Sequence, residues 1–128
     1  MESNNFLIDT QVFIWWMEKN KRLPEDIYEI LNNPKLPIFL SVASIWEIII
    51  KKQKKKLKLP VNLETGIKTS RFNILPIEVA DVLQVLKLRL NHNDPFDRIL
   101  IAQSQARKLT LITNDPKIHS YKGNILEF

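Results

Sequence analysis

Short apolar runs alternate along this chain with longer stretches in which apolar residues recur every three or four positions. The runs at 6–8, 37–41 and 109–113 predict buried strands, because strands covered on both faces are hydrophobic at every position. Weaker runs at 73–75 and 124–126 predict one more strand and an edge strand. Each strong run ends in a hydroxyl side chain or is followed directly by carboxyl and hydroxyl side chains.

The intervening stretches have the spacing of amphipathic helices. Helices are predicted after Asp9, from Pro24 to the stop at Pro34, over 42–56, over 63–72, and from Asp94 to Lys108 with Pro95 in the first turn. A further helical stripe comprises Val79, Val82, Leu83, Leu86 and Leu90. Strands alternating with helices predict a single α/β domain over 1–128, a three-layer α/β/α sandwich around a mostly parallel four- to five-stranded sheet.

Composition narrows the chemistry of this domain. The net charge of +5 favours a polyanionic partner. The chain has no cysteine and two histidines, so a bound metal ion would have to be held by oxygen ligands. The N-terminal residues lack the layout of a signal peptide, and no apolar run approaches the roughly 20 residues of a membrane span, so a cytoplasmic location is expected.

Four acidic residues lie where a predicted strand passes into a helix, or just inside a helix start: Asp9, Glu47, Asp97 and Asp115. The carboxyl ends of parallel strands meet at one edge of a sheet, so these side chains are expected to converge there. Converging carboxylates repel one another, and a hard divalent cation such as Mg²⁺ or Mn²⁺ would offset that repulsion. Such an ion can orient a phosphodiester and activate water, which predicts a metal-dependent nuclease.

Each of these acids also has a purely structural interpretation. Ser44 and Glu47 have the spacing of a helix capping box, Asp94 and Asp97 can serve as an N-cap and a first-turn acid, and Asp115 precedes a proline as an N-cap would. Asp9 can likewise cap the first helix. Taken singly, each acid is better explained as a cap than as a ligand, and their combination favours the metal site.

Four stretches together resemble the PIN-domain ribonucleases, specifically the VapC-type toxins of bacterial toxin–antitoxin pairs. They are Leu-Ile-Asp-Thr at 7–10, Ser-Val-Ala-Ser-Ile-Trp-Glu-Ile at 41–48, His-Asn-Asp-Pro-Phe-Asp-Arg with Ile-Ala-Gln at 92–103, and Thr-Asn-Asp at 113–115. The resemblance runs in order over nearly the whole chain, and the four motifs together are highly specific.

This resemblance implies an Mg²⁺- or Mn²⁺-dependent endoribonuclease, a homodimer, held inactive by a small cognate antitoxin whose tail occupies the active groove. By matching motif, Asp9, Glu47, Asp97 and Asp115 are the catalytic and metal-binding acids. Thr113, Asn114 and Asp94 are expected to support them. Two positions depart from the pattern: Gln11 stands where many relatives have histidine, and Lys55-Lys56-Leu57 where many have Gly-Lys-Leu, so a longer helix is expected there.

Several other residues allow two interpretations. Six lysines lie within 51–58, and they form either a solvated helix end or a surface for the RNA backbone, with Lys54, Lys55 and Lys56 as the central candidates. Arg98 is a further RNA-binding candidate, although pairing with a nearby acid is favoured. Trp15, Trp16 and Trp46 are predicted to be core or subunit-interface aromatics, and His92 is given no general-base role.

Two other classes of function compete with the nuclease. A non-catalytic RNA- or antitoxin-binding module would keep the fold, and the presence of all four acids argues against it. A phosphate-transfer domain is the third class. Haloacid-dehalogenase-like phosphatases need a second aspartate two positions after the first, where this chain has Gln11, and response-regulator receivers need a paired acid before the first helix, which is absent.

Overall fold

Five parallel strands form one sheet across the residues that the computed structural model describes, 5–89 and 94–128. The strand order is β3-β2-β1-β4-β5, and each neighbouring pair is parallel. The strands are β1 (Phe6–Ile8), β2 (Ile38–Ser41), β3 (Asn73–Leu75), β4 (Thr110–Thr113) and β5 (Ile125–Glu127). The predicted α/β class and parallel sheet are therefore confirmed.

Helices fill the first three connections between these strands, and turns fill the connection from β4 to β5. They are α1 (Thr10–Glu18), α2 (Glu25–Asn32), α3 (Val42–Gln53), α4 (Leu63–Ser70), α5 (Val79–Gln84), which continues as a 3-10 turn over Val85–Lys87, and α6 (Pro95–Ala106). Because β1 lies in the centre of the sheet between β2 and β4, the residues that follow these three strands are brought to one edge. That edge carries the starts of α1 and α3.

The sheet has a hydrophobic core on each face, as strands buried on both sides require. Successive residues of β1 point to opposite faces, so Ile8 packs with α1, α2 and α4 while Leu7 packs with α6. The neighbouring strand β4 repeats the alternation, with Ile112 in the first cluster and Leu111 in the second. The three-layer architecture follows from this pattern.

α3 begins at Val42 as predicted, but its N-terminal cap and its end differ from what the sequence predicts. Its N-cap is Ser41, whose hydroxyl accepts a hydrogen bond from the Ala43 N–H, so the predicted capping box of Ser44 with Glu47 is wrong. The helix also stops at Gln53, because Lys55 adopts φ 56° and its N–H and that of Lys56 bond back to the last turn. The expected longer helix is therefore wrong, and Lys55 takes the left-handed conformation that glycine would adopt more readily.

A buried polar network ties β2 to the helices on one face of the sheet. The Ser41 hydroxyl donates to Gln103 at 2.6 Å, and the Gln103 amide donates to Asp81 at 3.2 Å. Burial by itself raises the pKa of Asp81, but hydrogen bonds from Arg107, the Glu78 N–H and Gln103 outweigh it and leave that pKa below its usual value. The network fixes Ser41, and Ser41 caps the helix that carries Glu47.

The helical stripe on α5 is largely exposed to solvent. Val79, Val82, Leu83 and Leu86 lie on the surface, and Leu86 is 83% exposed. Leu90 and His92 lie outside the described residues. Within 5–89 and 94–128, the helices are too short or too polar to cross a membrane.

Candidate active site

The four predicted acids and Asp94 line one cleft at the carboxyl edge of the sheet. The cleft has a volume of about 290 Å³, and its other described lining residues are Thr10, Gln11, Trp15, Lys51 and Asn114. Two of the acids reach it from helices and two from the segments after strands, since Glu47 lies on α3, Asp97 lies on α6, Asp9 follows β1 and Asp115 follows β4. The four carboxylates, remote from one another in sequence, therefore lie in one cleft, as predicted.

Asp9 is the most buried of these acids, with 4% of its surface exposed. It caps α1, because its Oδ1 accepts from the Val12 N–H at 2.8 Å, and its Oδ2 accepts from the Thr113 hydroxyl at 2.5 Å. The pKa of Asp9 is raised to about 7, mainly by burial and to a smaller extent by the negative charges of Asp97 and Asp115. The two hydrogen bonds lower it but do not outweigh these effects. Asp9 therefore caps α1, as predicted, and the same side chain also lines the acidic cleft.

Glu47 is held on both sides of its carboxylate. The Thr10 hydroxyl donates to Oε1 at 2.6 Å and also contacts the Ser44 hydroxyl at 3.0 Å, which joins the start of α1 to α3. The Lys51 ammonium, one turn further along α3, lies 2.8 Å from Oε2. A nearly buried carboxylate is thus oriented into the cleft by one hydroxyl and one cation.

Asp94 and Asp97 begin α6 at the rim of the cleft. Asp94 is the N-cap and accepts from the N–H groups of Phe96 and Asp97 at 2.9 and 3.2 Å, as the sequence predicts. Asp97 follows in the first turn, where the positive end of the helix dipole favours a negative charge. Both side chains line the cleft, so capping does not remove them from it.

The segment after β4 supplies the remaining polar groups. The Thr113 hydroxyl donates to Asp9 and accepts from the Asp115 N–H at 3.0 Å, so it connects two of the acids. Asp115 accepts from the Lys117 N–H at 2.9 Å, which forms a short turn. The Asn114 amide donates to the Phe128 carbonyl and ties the end of the chain to the cleft.

The donor set fits a hydrated magnesium or manganese ion better than a closed metal cage. In the described part of the chain, no three acidic or histidine side chains lie close enough to enclose an ion. Magnesium usually takes one or two carboxylates directly and keeps several waters, so it does not need such a cage. Burial is the main reason that the pKa of Asp9 is raised, and the charges of Asp97 and Asp115 add to the rise, so a cation bound among these carboxylates would stabilise their ionised forms.

Two residues of the cleft have no site role predicted from the sequence, Thr10 and Lys51. Thr10 stands in the first motif, but its hydrogen bond to Glu47 spans 37 positions and leaves no local signal. In sequence, Lys51 is one of the six lysines within 51–58. Its separation of four residues from Glu47, with the acid on the N-terminal side, is the spacing that predicts an ion pair on one helix face.

The other predicted residues lie at the margins of this site. Lys54, Lys55 and Lys56 are exposed at the C-terminal end of α3. The Arg98 guanidinium donates to the backbone carbonyls of Arg89 at 2.7 Å and Val85 at 3.4 Å.

The three tryptophans have different surroundings. Trp15 is buried and Trp16 packs against the same core cluster, as predicted. Trp46 is 58% exposed and contacts Phe96 edge to face, so a core role for Trp46 is wrong.

Solved structures share this architecture along nearly their whole length. DNA-bound VapBC from Salmonella typhimurium is 22% identical with a TM-score of 0.72, covering 99% of this chain and 98% of that one. VapBC2 from Rickettsia felis bound to a promoter DNA fragment is 19% identical with a TM-score of 0.71, covering 96% and 98%. A toxin–antitoxin complex from Klebsiella pneumoniae is 21% identical with a TM-score of 0.66, covering 94% of each chain.

The structural similarity to these proteins establishes a shared fold. No curated protein matches the chain at a significant level. The profile of the PIN domain family matches residues 6–124, from the first strand to the residue before the last strand, and includes every acid of the cleft. The chain belongs to the PIN domain family.

Proposed function

We propose that this chain is an Mg²⁺- or Mn²⁺-dependent endoribonuclease and the toxin of a VapC-type toxin–antitoxin pair. The observation that carries the proposal is the single cleft lined by Asp9, Glu47, Asp94, Asp97 and Asp115 in a basic protein of the PIN family. An acidic cleft attracts divalent cations, while the positive charge of the whole chain attracts RNA. Metal ions then allow a negatively charged substrate to approach negatively charged side chains.

Asp9, Glu47, Asp97 and Asp115 are the proposed metal-binding and catalytic acids. When bound there, a divalent cation would supply the chemistry of phosphodiester hydrolysis by orienting the phosphate and activating a water molecule. Thr113 holds Asp9 and Thr10 holds Glu47 through the hydrogen bonds described above. Asp94 fixes the first turn of α6, and Asn114 fixes the loop after β4. These contacts restrict the rotation of the acids before any substrate arrives.

A cognate antitoxin is the proposed protein partner, in the cytoplasm. The structures of similar fold from Salmonella typhimurium and Rickettsia felis are VapBC complexes bound to DNA, and that from Klebsiella pneumoniae is a toxin–antitoxin complex. The cleft of this chain offers carboxylates to a basic side chain as readily as to a metal ion. An antitoxin tail that carries such a side chain would therefore block the site.

A cleavage assay tests the function directly. The purified chain, free of metal and antitoxin, is incubated with total cellular RNA, with and without Mg²⁺ or Mn²⁺, and the new RNA ends are mapped. We expect discrete internal cuts that require the added ion. If the protein binds RNA or an antitoxin but cuts nothing under any metal condition, it is the non-catalytic module, and the nuclease proposal is wrong.

The lysine cluster at the end of α3 is proposed to contact the RNA backbone together with Arg98. At 1.5 Å per residue, the last residue of α3, Gln53, lies roughly 9 Å along the helix axis from Glu47, and Lys54–Lys56 follow it directly, within reach of a strand bound at the cleft. Replacing Lys54, Lys55 and Lys56 with alanine should lower the slope of log affinity against log salt by about 2, since each lost phosphate contact removes about 0.7. Filter binding at several salt concentrations measures this slope, and an unchanged slope would reject the contact.

A homodimer formed through the exposed stripe of α5 is the proposed assembly. Val79, Val82, Leu83 and Leu86 present adjacent apolar side chains on one helix and its 3-10 extension, and such patches are rare on monomers. Paired about a twofold axis, the stripe would cover itself. Leu83→Lys should therefore convert a dimer to a monomer in sedimentation velocity, while Val61→Lys, at an exposed residue elsewhere, should not. A monomeric parent protein would contradict this assembly.

A further inference from the structure

Lys51 is the one cationic side chain among the described residues that line the acidic cleft. Its ammonium lies 2.8 Å from Oε2 of Glu47. The neighbouring Lys52 and the other lysines of the cluster do not line the cleft. Lys51 therefore belongs to the site, although in sequence it is merely the first residue of a lysine run.

The Glu47 carboxylate has a partner at each oxygen. Thr10 donates to Oε1 at 2.6 Å, and Lys51 contacts Oε2. A metal ion that binds Glu47 must share an oxygen with one of these donors or displace it. A bound metal ion would repel the Lys51 ammonium but not the neutral Thr10 hydroxyl. Lys51 is therefore the partner that the ion would displace from Glu47.

The two partners differ in their freedom to move. The Lys51 side chain is 44% exposed and that of Glu47 is 8% exposed. Lys51 can turn its ammonium into water at little cost, because its long stem keeps contact with the surface. Glu47 cannot leave the cleft without losing its hydrogen bond to Thr10.

We propose that Lys51 is a positioning residue that acts as the counter-ion of Glu47 in the metal-free protein and sets the metal affinity by competing with the incoming cation. This inference rests on the proposed metal-dependent function. Two consequences follow from this role of Lys51. Glu47 stays oriented when no ion is bound, and the cleft binds divalent ions less tightly than its carboxylates alone would. An ordinary ion pair on a helix surface would affect stability only.

The test is Mn²⁺ binding to the full chain, measured by isothermal titration calorimetry in metal-free buffer at fixed pH. Lys51→Met should tighten Mn²⁺ binding about tenfold, because it removes one positive charge a few ångströms from the ion. Lys51→Arg should stay within about twofold of the parent, since it restores the charge and the donor. Lys52→Met is the matched control, with the same charge change one residue away on an exposed side chain, and should also stay within about twofold because solvent screens it.

A second measurement separates positioning from metal binding. In EDTA, Lys51→Met should melt lower than Lys52→Met, because Glu47 loses its counter-ion, and added Mn²⁺ should reverse that order. If Lys51→Met does not fold, Lys51→Gln, which removes the charge but keeps a hydrogen-bond donor, takes its place in both experiments.

The outcomes distinguish this inference from the function beneath it. Equal Mn²⁺ affinities in Lys51→Met and Lys52→Met, or weaker binding by Lys51→Met, overturn the role of Lys51 and leave the nuclease proposal intact. Absence of Mn²⁺ binding by the parent protein overturns the metal-dependent function and this inference with it.

Discussion

Asp9→Asn is expected to reduce RNA cleavage by on the order of 10³-fold, because it removes a charge from the most buried acid of the cleft. Asparagine has nearly the same shape, so the helix cap and the contact with Thr113 can persist. Asp97→Asn should have a similar effect from the other side of the cleft. The loss in both variants would therefore come from charge and metal binding, and not from a changed fold.

Single-turnover cleavage of an end-labelled RNA in saturating Mg²⁺ measures this effect. Asp26→Asn is the matched control, since it makes the same substitution in the first turn of α2, at an exposed position outside the cleft, and should leave the rate unchanged. Circular dichroism of each variant checks that it is folded. Full activity in both Asp9→Asn and Asp97→Asn would contradict the assignment of the cleft as the catalytic site.

The sheet could be predicted because its strands are buried on both faces. β1 is a continuous apolar run, and β4 has two apolar residues between two threonines, so short segments of this kind predict strands without knowledge of their neighbours. The strand order could not be derived in the same way, since pairing depends on how the crossovers pack. The end of α3 was missed because Lys55 adopts a backbone conformation that its residue type does not indicate.

The acids of the site could be predicted from their place after strands and at helix starts. In a parallel sheet these places lie at one edge. The side chains at positions 9, 47, 97 and 115 therefore meet there, although no local signal links them in sequence. Their hydrogen-bond partners could not be found in this way. Thr10 and Glu47 are far apart in sequence, and a hydroxyl has no periodicity that marks it as a donor to a distant carboxylate.

The metal-free protein is expected to lose stability as the pH rises from about 4 to about 7. In the unfolded chain Asp9 gives up its proton near its ordinary pKa of 3.8, whereas burial in the native protein raises that pKa to about 7. Between these values the native state binds more protons than the unfolded state, so rising pH favours unfolding. The contribution of Asp9 is fully present below about pH 4 and is lost above about pH 7.

A difference of about three pKa units corresponds to a loss of about 4 kcal/mol in the free energy of unfolding. For a chain of this length the melting temperature should fall by roughly 10–15 °C. Scanning calorimetry in EDTA across this pH range measures the fall. Other groups titrate in both proteins, so the quantity that matters is the difference between the parent and Asp9→Asn.

Asp9→Asn should be nearly independent of pH over this interval, because its amide stays neutral and can donate to the Thr113 hydroxyl where the carboxylate accepted from it. Above pH 7 the variant should therefore melt higher than the parent in EDTA. Added Mn²⁺ should stabilise the parent more than the variant, since binding to the native state alone raises stability and the parent has the additional charge. If the melting temperature changes with pH equally in the two proteins, Asp9 is not the buried acid whose ionisation opposes folding. If Mn²⁺ raises the melting temperature equally in both, Asp9 does not contribute to the metal site.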